Sequence, residues 1–138
     1  MAVEPQGSHA PPDGLRVLVV EDNAVNRHLV VSLLKRMGCH VLSANDGLEA
    51  LETVASDDLD LVLMDCHMPR LNGYEATRQI RLTSSVPIVA LTAGVLDEEI
   101  ARCYAAGMNQ VLPKPIRAEA LRQLLLTFSP MEKGQLSS

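Results

Sequence analysis

Five side chains that could act together on a phosphate group each follow a short apolar run in this sequence. Glu21 and Asp22 follow the first such run, Asp65 follows a second, Thr92 a third and Lys114 a fourth. Phosphoryl transfer needs groups that hold a metal ion, donate hydrogen bonds to phosphate oxygens and neutralise their charge. Carboxylates, a hydroxyl group and an ammonium group supply these functions.

A cluster of three carboxylates is unfavourable unless a cation lies among them. Two unit charges about 4 Å apart repel by roughly 4 kcal/mol at an effective dielectric constant of 20. Mg²⁺ prefers oxygen ligands, retains several waters and accepts one or two carboxylates together with a phosphate. The residue types therefore predict a Mg²⁺-dependent phosphoryl-transfer site in which one carboxylate is the nucleophile and forms an acyl phosphate.

Apolar runs and segments of helical period alternate along the chain and would position these groups. The runs predict buried strands, and the amphipathic segments between them predict helices. Predicted strands span residues 15–20, 40–44, 59–64, 87–91 and 109–112, and predicted helices span 25–37, 48–55, 73–81, 97–107 and 117–128. This order predicts an α/β fold with a parallel sheet covered by helices on both faces. Ligands bind such sheets beyond the carboxyl ends of the strands, where the five side chains lie.

Length and composition exclude several other classes of protein. The chain has 138 residues, 47% of them apolar, and a net charge of −5, so we expect one globular domain that does not bind nucleic acid directly. Three cysteines without metal-binding spacing favour a reduced, cytoplasmic setting. No apolar run is long enough to cross a bilayer. Residues 1–14 are predicted to be a flexible N-terminal linker, residues 15–128 the folded domain, and residues 129–138 a flexible tail.

Five motifs in this order resemble the receiver domain of two-component response regulators. They lie at Val17–Asn23, Met64–Pro69, Asn72–Ala76, Ala90–Ala93 and Leu112–Pro115. The resemblance covers residues 15–128 and is closest to receivers of bacterial hybrid sensor histidine kinases. It implies a flavodoxin-like, doubly wound five-stranded sheet of order 2-1-3-4-5 with five helices.

The resemblance also assigns roles to individual residues. It implies that Asp65 accepts the phosphoryl group, and that Mg²⁺ is held by Glu21, Asp22, Asp65 and the backbone carbonyl of His67. Thr92 would donate a hydrogen bond to the phosphoryl group, and Lys114 would pair with it.

Further positions follow from the same resemblance. Ala93 and Gly94 would form the loop that moves with Thr92, and the peptide bond before Pro115 would be cis. Many receivers carry an aromatic switch residue where this chain has Val111, so that switch position is lost. We therefore expect activation to move the loop after the fourth strand while Val111 remains nearly stationary.

The resemblance implies partners as well as a site. The phosphodonor would be a histidine kinase or a histidine phosphotransfer domain, and a homodimer would form through helix four, strand five and helix five. We expect a module of a hybrid sensor histidine kinase, without membrane contact of its own although the parent protein could be membrane-anchored. The domain would catalyse its own phosphotransfer and dephosphorylation, so its status as an enzyme stays open.

Other functions are compatible with parts of the sequence. A stand-alone response regulator would carry the same motifs. An interaction module without phosphorylation should have lost Asp65, Lys114 or the acidic pair, and all are present. An aspartate-dependent phosphatase would need a second aspartate at position 67, where this chain has His67. A flavodoxin-like cofactor protein would need a hydroxyl- and glycine-rich loop after the first strand, which Glu21–Ala24 is not.

Overall fold

The computed structural model describes residues 14–94 and 96–128. Apart from Gly14, the segments predicted to be flexible lie outside the described residues. The strands are β1 (Arg16–Val20), β2 (His40–Ala44), β3 (Leu61–Asp65), β4 (Ile88–Thr92) and β5 (Gln110–Pro113). The helices are α1 (Ala24–Arg36), α2 (Gly47–Ser56), α3 (Gly73–Ile80), α4 (Asp97–Ala106) and α5 (Ala118–Thr127).

The five strands form one parallel sheet of order β2-β1-β3-β4-β5, which confirms the predicted topology. The bounds differ from the predicted ones by at most two residues, and those of β2 are identical. The difference matters at the carboxyl ends, where β3 includes Asp65 and β4 includes Thr92. The ladder continues that far because Asp65 is in register with Leu91, and Thr92 with Pro113.

Each face of the sheet has its own apolar core, because alternate side chains of a strand point to opposite faces. Val19 and Leu63 pack on one face in a core that includes residues of α1 and α5. Val20 and Met64 pack on the other face with residues of α2, α3 and α4. All five residues of β3 are buried, as expected of a central strand covered on both sides.

Helix α1 is only partly buried, although its apolar residues recur at helical spacing. Val30 and Leu34 are buried against the sheet. Val25 and Leu29 belong to the same predicted apolar pattern but are 77% and 46% exposed. An apolar surface therefore remains on the first half of α1.

Three helix ends carry residues that are typical of helix caps. Asp46 accepts a hydrogen bond from the Glu49 amide and begins α2, and Asn72 with Glu75 forms a capping box at the start of α3. Gly107 ends α4 in the left-handed conformation that favours glycine. Among the helices of residues 14–94 and 96–128, none is both long and apolar enough to span a bilayer.

Candidate functional site

The predicted site residues lie together at the carboxyl edge of the sheet. Glu21 follows β1, Asp65 and Thr92 end β3 and β4, and Lys114 follows β5. These strands are adjacent in the order β1-β3-β4-β5. The Lys114 amide donates to the carbonyl oxygen of Thr92 at 2.9 Å, which extends the ladder to the lysine. The sheet topology thus brings residues more than 90 positions apart into one cleft.

Lys114 forms ion pairs with two buried carboxylates. Its Nζ lies 3.1 Å from Glu21 Oε1 and 3.3 Å from Asp65 Oδ1. Glu21 and Asp65 are only 2% and 3% exposed. Burial raises the pKa of Glu21, and the Asp65 carboxylate adds to this, while Lys114 acts in the opposite direction. Burial lowers the pKa of Lys114, but the two carboxylates more than offset that effect, so its pKa is raised and the ammonium group stays charged.

Asp22 completes an acidic cluster of three carboxylates, Glu21, Asp22 and Asp65. One oxygen of each lies within 4.8 Å of the others, and Asp22 is exposed. At this separation two unit charges repel by roughly 3 kcal/mol at an effective dielectric constant of about 20. Lys114 supplies one positive charge against three negative ones. The oxygen donors, the residual negative charge and the exposed side fit a hydrated divalent cation such as Mg²⁺.

The loop after β3 is held tightly beneath Asp65. The His67 amide donates to Asp65 Oδ1 at 3.2 Å, and the Gly73 amide donates to the Cys66 carbonyl oxygen at 3.1 Å. A Cβ atom at Gly73 would lie 2.3 Å from the Asp65 carbonyl oxygen, so only glycine fits here without movement of the backbone. The first turn of α3 therefore fixes the position of the candidate nucleophile.

A second polar cluster lies beside the first and is centred on Glu99 of α4. Glu99 Oε2 accepts from the Tyr74 hydroxyl at 2.6 Å, lies 2.9 Å from His67 Nε2 and 3.4 Å from Thr92 Oγ1. The hydrogen bonds from Tyr74 and His67 lower the pKa of Glu99, whereas burial acts in the opposite direction. Glu99 is therefore a carboxylate at neutral pH. The Thr92 hydroxyl oxygen also accepts from the Gly94 amide at 3.0 Å.

Other predicted residues lie near the site in different environments. The Lys114–Pro115 peptide bond is cis, as the resemblance implies. Ala93 is exposed and Gly94 half-buried in the loop after β4. Val111 is half-buried and packs against the core on the α2, α3 and α4 face.

Cys66 follows Asp65 directly and packs in the apolar core. It is fully buried beside Cys103, with 3.7 Å between the two sulfur atoms. Burial, followed by the neighbouring Cys103, raises the pKa of the Cys66 thiol to about 12. Both thiols are therefore protonated and pack as small apolar groups.

Sequence reasoning missed two contributors to the site, Glu99 and Tyr74. Glu99 is one of three acids in the first turn of α4, and that position indicates only a favourable interaction with the helix dipole. Tyr74 lies two residues after the helix cap Asn72. Contacts between residues separated by 25 positions on different helices leave no signal in a single sequence.

Comparison with known proteins gives a family for this arrangement. The model of the family "Response regulator receiver domain" matches residues 17–126. The chain belongs to this family. The match covers residues of all five strands and contains every predicted site residue.

The relatives of this receiver domain include sensor histidine kinases. It is 39% identical over 118 residues to sensor histidine kinase RcsC of Salmonella typhi, an alignment that covers 85% of this chain and 12% of RcsC. The chain thus spans only a small part of the length of such relatives. It also matches the crystal structure of the receiver domain of sensor histidine kinase PA1611 from Pseudomonas aeruginosa PAO1, in which a magnesium ion is coordinated in the active site cleft. That match has a TM-score of 0.79 and 39% identity over 83% of this chain and 97% of the other.

A third comparison concerns a receiver domain in a complex. The co-crystal structure of the Saccharomyces cerevisiae histidine phosphotransfer signaling protein Ypd1 with the receiver domain of its downstream response regulator Ssk1 matches with a TM-score of 0.81. The identity is 30%, and the match covers 87% of this chain and 92% of the other. A receiver of this fold therefore forms a complex with a histidine phosphotransfer protein.

Proposed function

We propose that this chain is the phosphoacceptor module of a two-component phosphorelay. Asp65 takes a phosphoryl group from the phosphohistidine of a histidine kinase or a histidine phosphotransfer domain. The observation that carries the proposal is the pairing of Lys114 with both Glu21 and Asp65 at the edge of the sheet. A buried carboxylate beside an ammonium group and two further acids suits phosphoryl transfer better than a structural ion pair.

The reaction needs one bond to form and one to break. A carboxylate oxygen of Asp65 attacks phosphorus, the phosphorus–nitrogen bond of the donor breaks, and the imidazole nitrogen retains the electron pair. Negative charge on the transferred oxygens is met by Lys114 Nζ, and the Thr92 hydroxyl donates a hydrogen bond to one of them. Thr92 ends β4 and Lys114 follows β5, so the sheet sets the backbone positions from which both side chains reach the phosphoryl group.

The acidic cluster has the composition of a Mg²⁺ site. Glu21, Asp22, Asp65 and the backbone carbonyl of His67 would hold the ion. When bound, Mg²⁺ supplies positive charge that offsets the carboxylates and the developing charge on the phosphoryl oxygens. Glu21 is the most buried of the three acids, and its Oε2 accepts from the Asn23 amide at 3.1 Å, which fixes its orientation.

The donor docks over the exposed apolar residues of α1. A groove of about 290 Å³ lies beside the site and is lined by Leu29, Ala93, Lys114, Pro115 and Ile116, among others. Leu29 is half exposed, and Val25 on the same helix is more exposed still. A histidine-bearing helix of the donor would bury this apolar surface while its phosphohistidine reaches Asp65. The complex of Ypd1 with the Ssk1 receiver supports a partner of this class.

The relatives also support a proposal for the kind of protein that contains this module. The relatives favour a receiver within a hybrid sensor histidine kinase over a stand-alone regulator. A folded receiver spanning residues 15–128 accounts for every element described. The homodimer contact through α4, β5 and α5 stays a prediction; Tyr104 of α4 is half exposed.

Phosphorylation from a small donor tests the proposed function directly. After incubation with phosphoramidate and Mg²⁺, we expect intact-mass analysis to show one added phosphoryl group, because one carboxylate is positioned as acceptor. Chelation of Mg²⁺ should prevent the gain, and hydroxylamine should remove it, since hydroxylamine cleaves acyl phosphates. A label that forms without Mg²⁺ or that survives hydroxylamine would contradict the proposal.

Replacement of Asp22 tests the metal site. Loss of a partner outside the first coordination shell typically weakens metal binding 10- to 100-fold. Asp22 is a ligand in this proposal, so we expect Asp22→Ala to weaken Mg²⁺ binding by at least about tenfold. Calorimetric titration with Mg²⁺ measures the effect. Asp58→Ala is the matched control, because Asp58 is an exposed aspartate that precedes β3 at the opposite edge of the sheet. Equal Mg²⁺ affinities in the two variants would remove Asp22 from the ligand set.

A further inference from the structure

Glu99 lies where it competes for a hydrogen bond that phosphoryl transfer needs. The Thr92 hydroxyl has a single proton and can donate to one acceptor at a time. In this structure its acceptor is Glu99 Oε2, at 3.4 Å. A phosphoryl oxygen on Asp65 would need the same proton. The two arrangements exclude each other.

The carboxylate of Glu99 is held in place independently of Thr92. The Tyr74 hydroxyl donates to Oε2 at the short distance of 2.6 Å, and His67 Nε2 lies 2.9 Å from the same oxygen. The Arg102 guanidinium lies over the Tyr74 ring, 4.0 Å from its centroid, and the rings of Tyr74 and His67 meet edge to face. When Thr92 turns away, Glu99 therefore keeps its position and its negative charge.

The backbone next to Thr92 leaves room for this carboxylate. A Cβ atom at Gly94 would lie 3.0 Å from Glu99 Oε1, closer than an ordinary van der Waals contact. By contrast, Asp97 and Glu98 in the same helical turn are exposed. Stabilisation of the helix dipole accounts for all three acids but not for the inward contacts of Glu99.

We propose that Glu99 is a positioning residue for phosphoryl transfer, which holds the Thr92 hydroxyl away from the phosphoryl group and so favours the unphosphorylated state. The proposal rests on the proposed function, since it needs a phosphoryl group on Asp65. Phosphorylation must break the contact between Thr92 and Glu99 and must also place a second anion near that carboxylate. Both effects oppose phosphorylation, and both disappear when the side chain at position 99 is neutral and a poorer acceptor.

Beryllofluoride, which adds to an aspartate as a stable analogue of the phosphoryl group, provides the test. At saturating Mg²⁺ we expect Glu99→Gln to bind beryllofluoride about fivefold more tightly than the wild type, the size of one partly solvated charge interaction. Glutamine has the same shape and keeps an oxygen for the Tyr74 hydroxyl, so the fold is retained. Glu98→Gln makes the same change of charge in the same turn and should leave the affinity unchanged.

A double-mutant cycle shows whether Glu99 acts through Thr92. In a Thr92→Ala background, which lacks the hydroxyl group, we expect the tightening by Glu99→Gln to shrink to the part that comes from repulsion between the two anions. In a Thr92→Ser background, which keeps the hydroxyl group, the tightening should return. No tightening relative to Glu98→Gln, or an equal tightening in the Thr92→Ala background, would overturn the proposal. Failure of the wild type to bind beryllofluoride with Mg²⁺ would instead overturn the proposed function.

Discussion

Replacement of Asp65 by asparagine is expected to reduce phosphoryl uptake to the background level. A neutral amide oxygen is a poor nucleophile, and no other carboxylate in the cleft is held in the same way by the Lys114 ammonium group and the His67 amide. The amide oxygen of asparagine can still accept from both groups, so the fold should persist. Intact-mass analysis after treatment with phosphoramidate and Mg²⁺ measures the loss.

The control for this variant is Asp58→Asn, which makes the same chemical change at an exposed position. It should take up phosphoryl groups like the wild type. Residual labelling of Asp65→Asn would be mapped by peptide analysis. A label at Glu21 or Asp22 would mean that the acidic cluster as a whole is the nucleophile, and undiminished labelling would show that the acceptor lies elsewhere.

The fold was predictable because each level of the sequence indicates the same structure. Strands such as Leu61–Asp65 are apolar throughout, and the helices between them have helical period and recognisable caps. Alternation of strands and helices then permits few topologies. The strand-end residues of the site were found by the same logic, because parallel strands place their carboxyl ends at one edge.

Helix α1 shows what periodicity cannot establish. At about 100° per residue, Val25 lies about 140° around the helix from Val30, so the two cannot face the same neighbour. Val30 packs on the sheet, whereas Val25 remains exposed beside the site. Spacing identifies apolar residues on a helix, but which of them are covered depends on the neighbouring elements.

Glu99 could not be identified for a different reason. Its partners Thr92, His67 and Tyr74 come from a strand end, a loop and another helix. The packing of α4 against α3 brings them together, and side-chain packing of this kind has no periodic signature. The site residues found from sequence are those fixed by the sheet, and those missed are fixed by contacts between helices.

Replacement of Gly73 by alanine should give the largest loss of stability among these variants. Alanine inside a helix normally stabilises relative to glycine by roughly 0.5–1 kcal/mol. Here the added Cβ would lie 2.3 Å from the Asp65 carbonyl oxygen and 2.9 Å from the Cys66 Cα. These are backbone atoms at the end of the central strand, so they cannot rotate out of the way.

We therefore expect Gly73→Ala to lower the free energy of unfolding by about 3 kcal/mol, as for severe overpacking, and to slow phosphoryl uptake because Asp65 must shift with its carbonyl. Urea denaturation followed by circular dichroism measures the first effect. Gly94→Ala is the matched control, since the atoms nearest to its added Cβ belong to the Glu99 side chain rather than to the backbone. Its stability should fall by less than about 1 kcal/mol, because that side chain can move by a few tenths of an ångström. A Gly73→Ala protein as stable as the wild type would show that the first turn of α3 can move without disturbing β3, and that the turn does not fix Asp65.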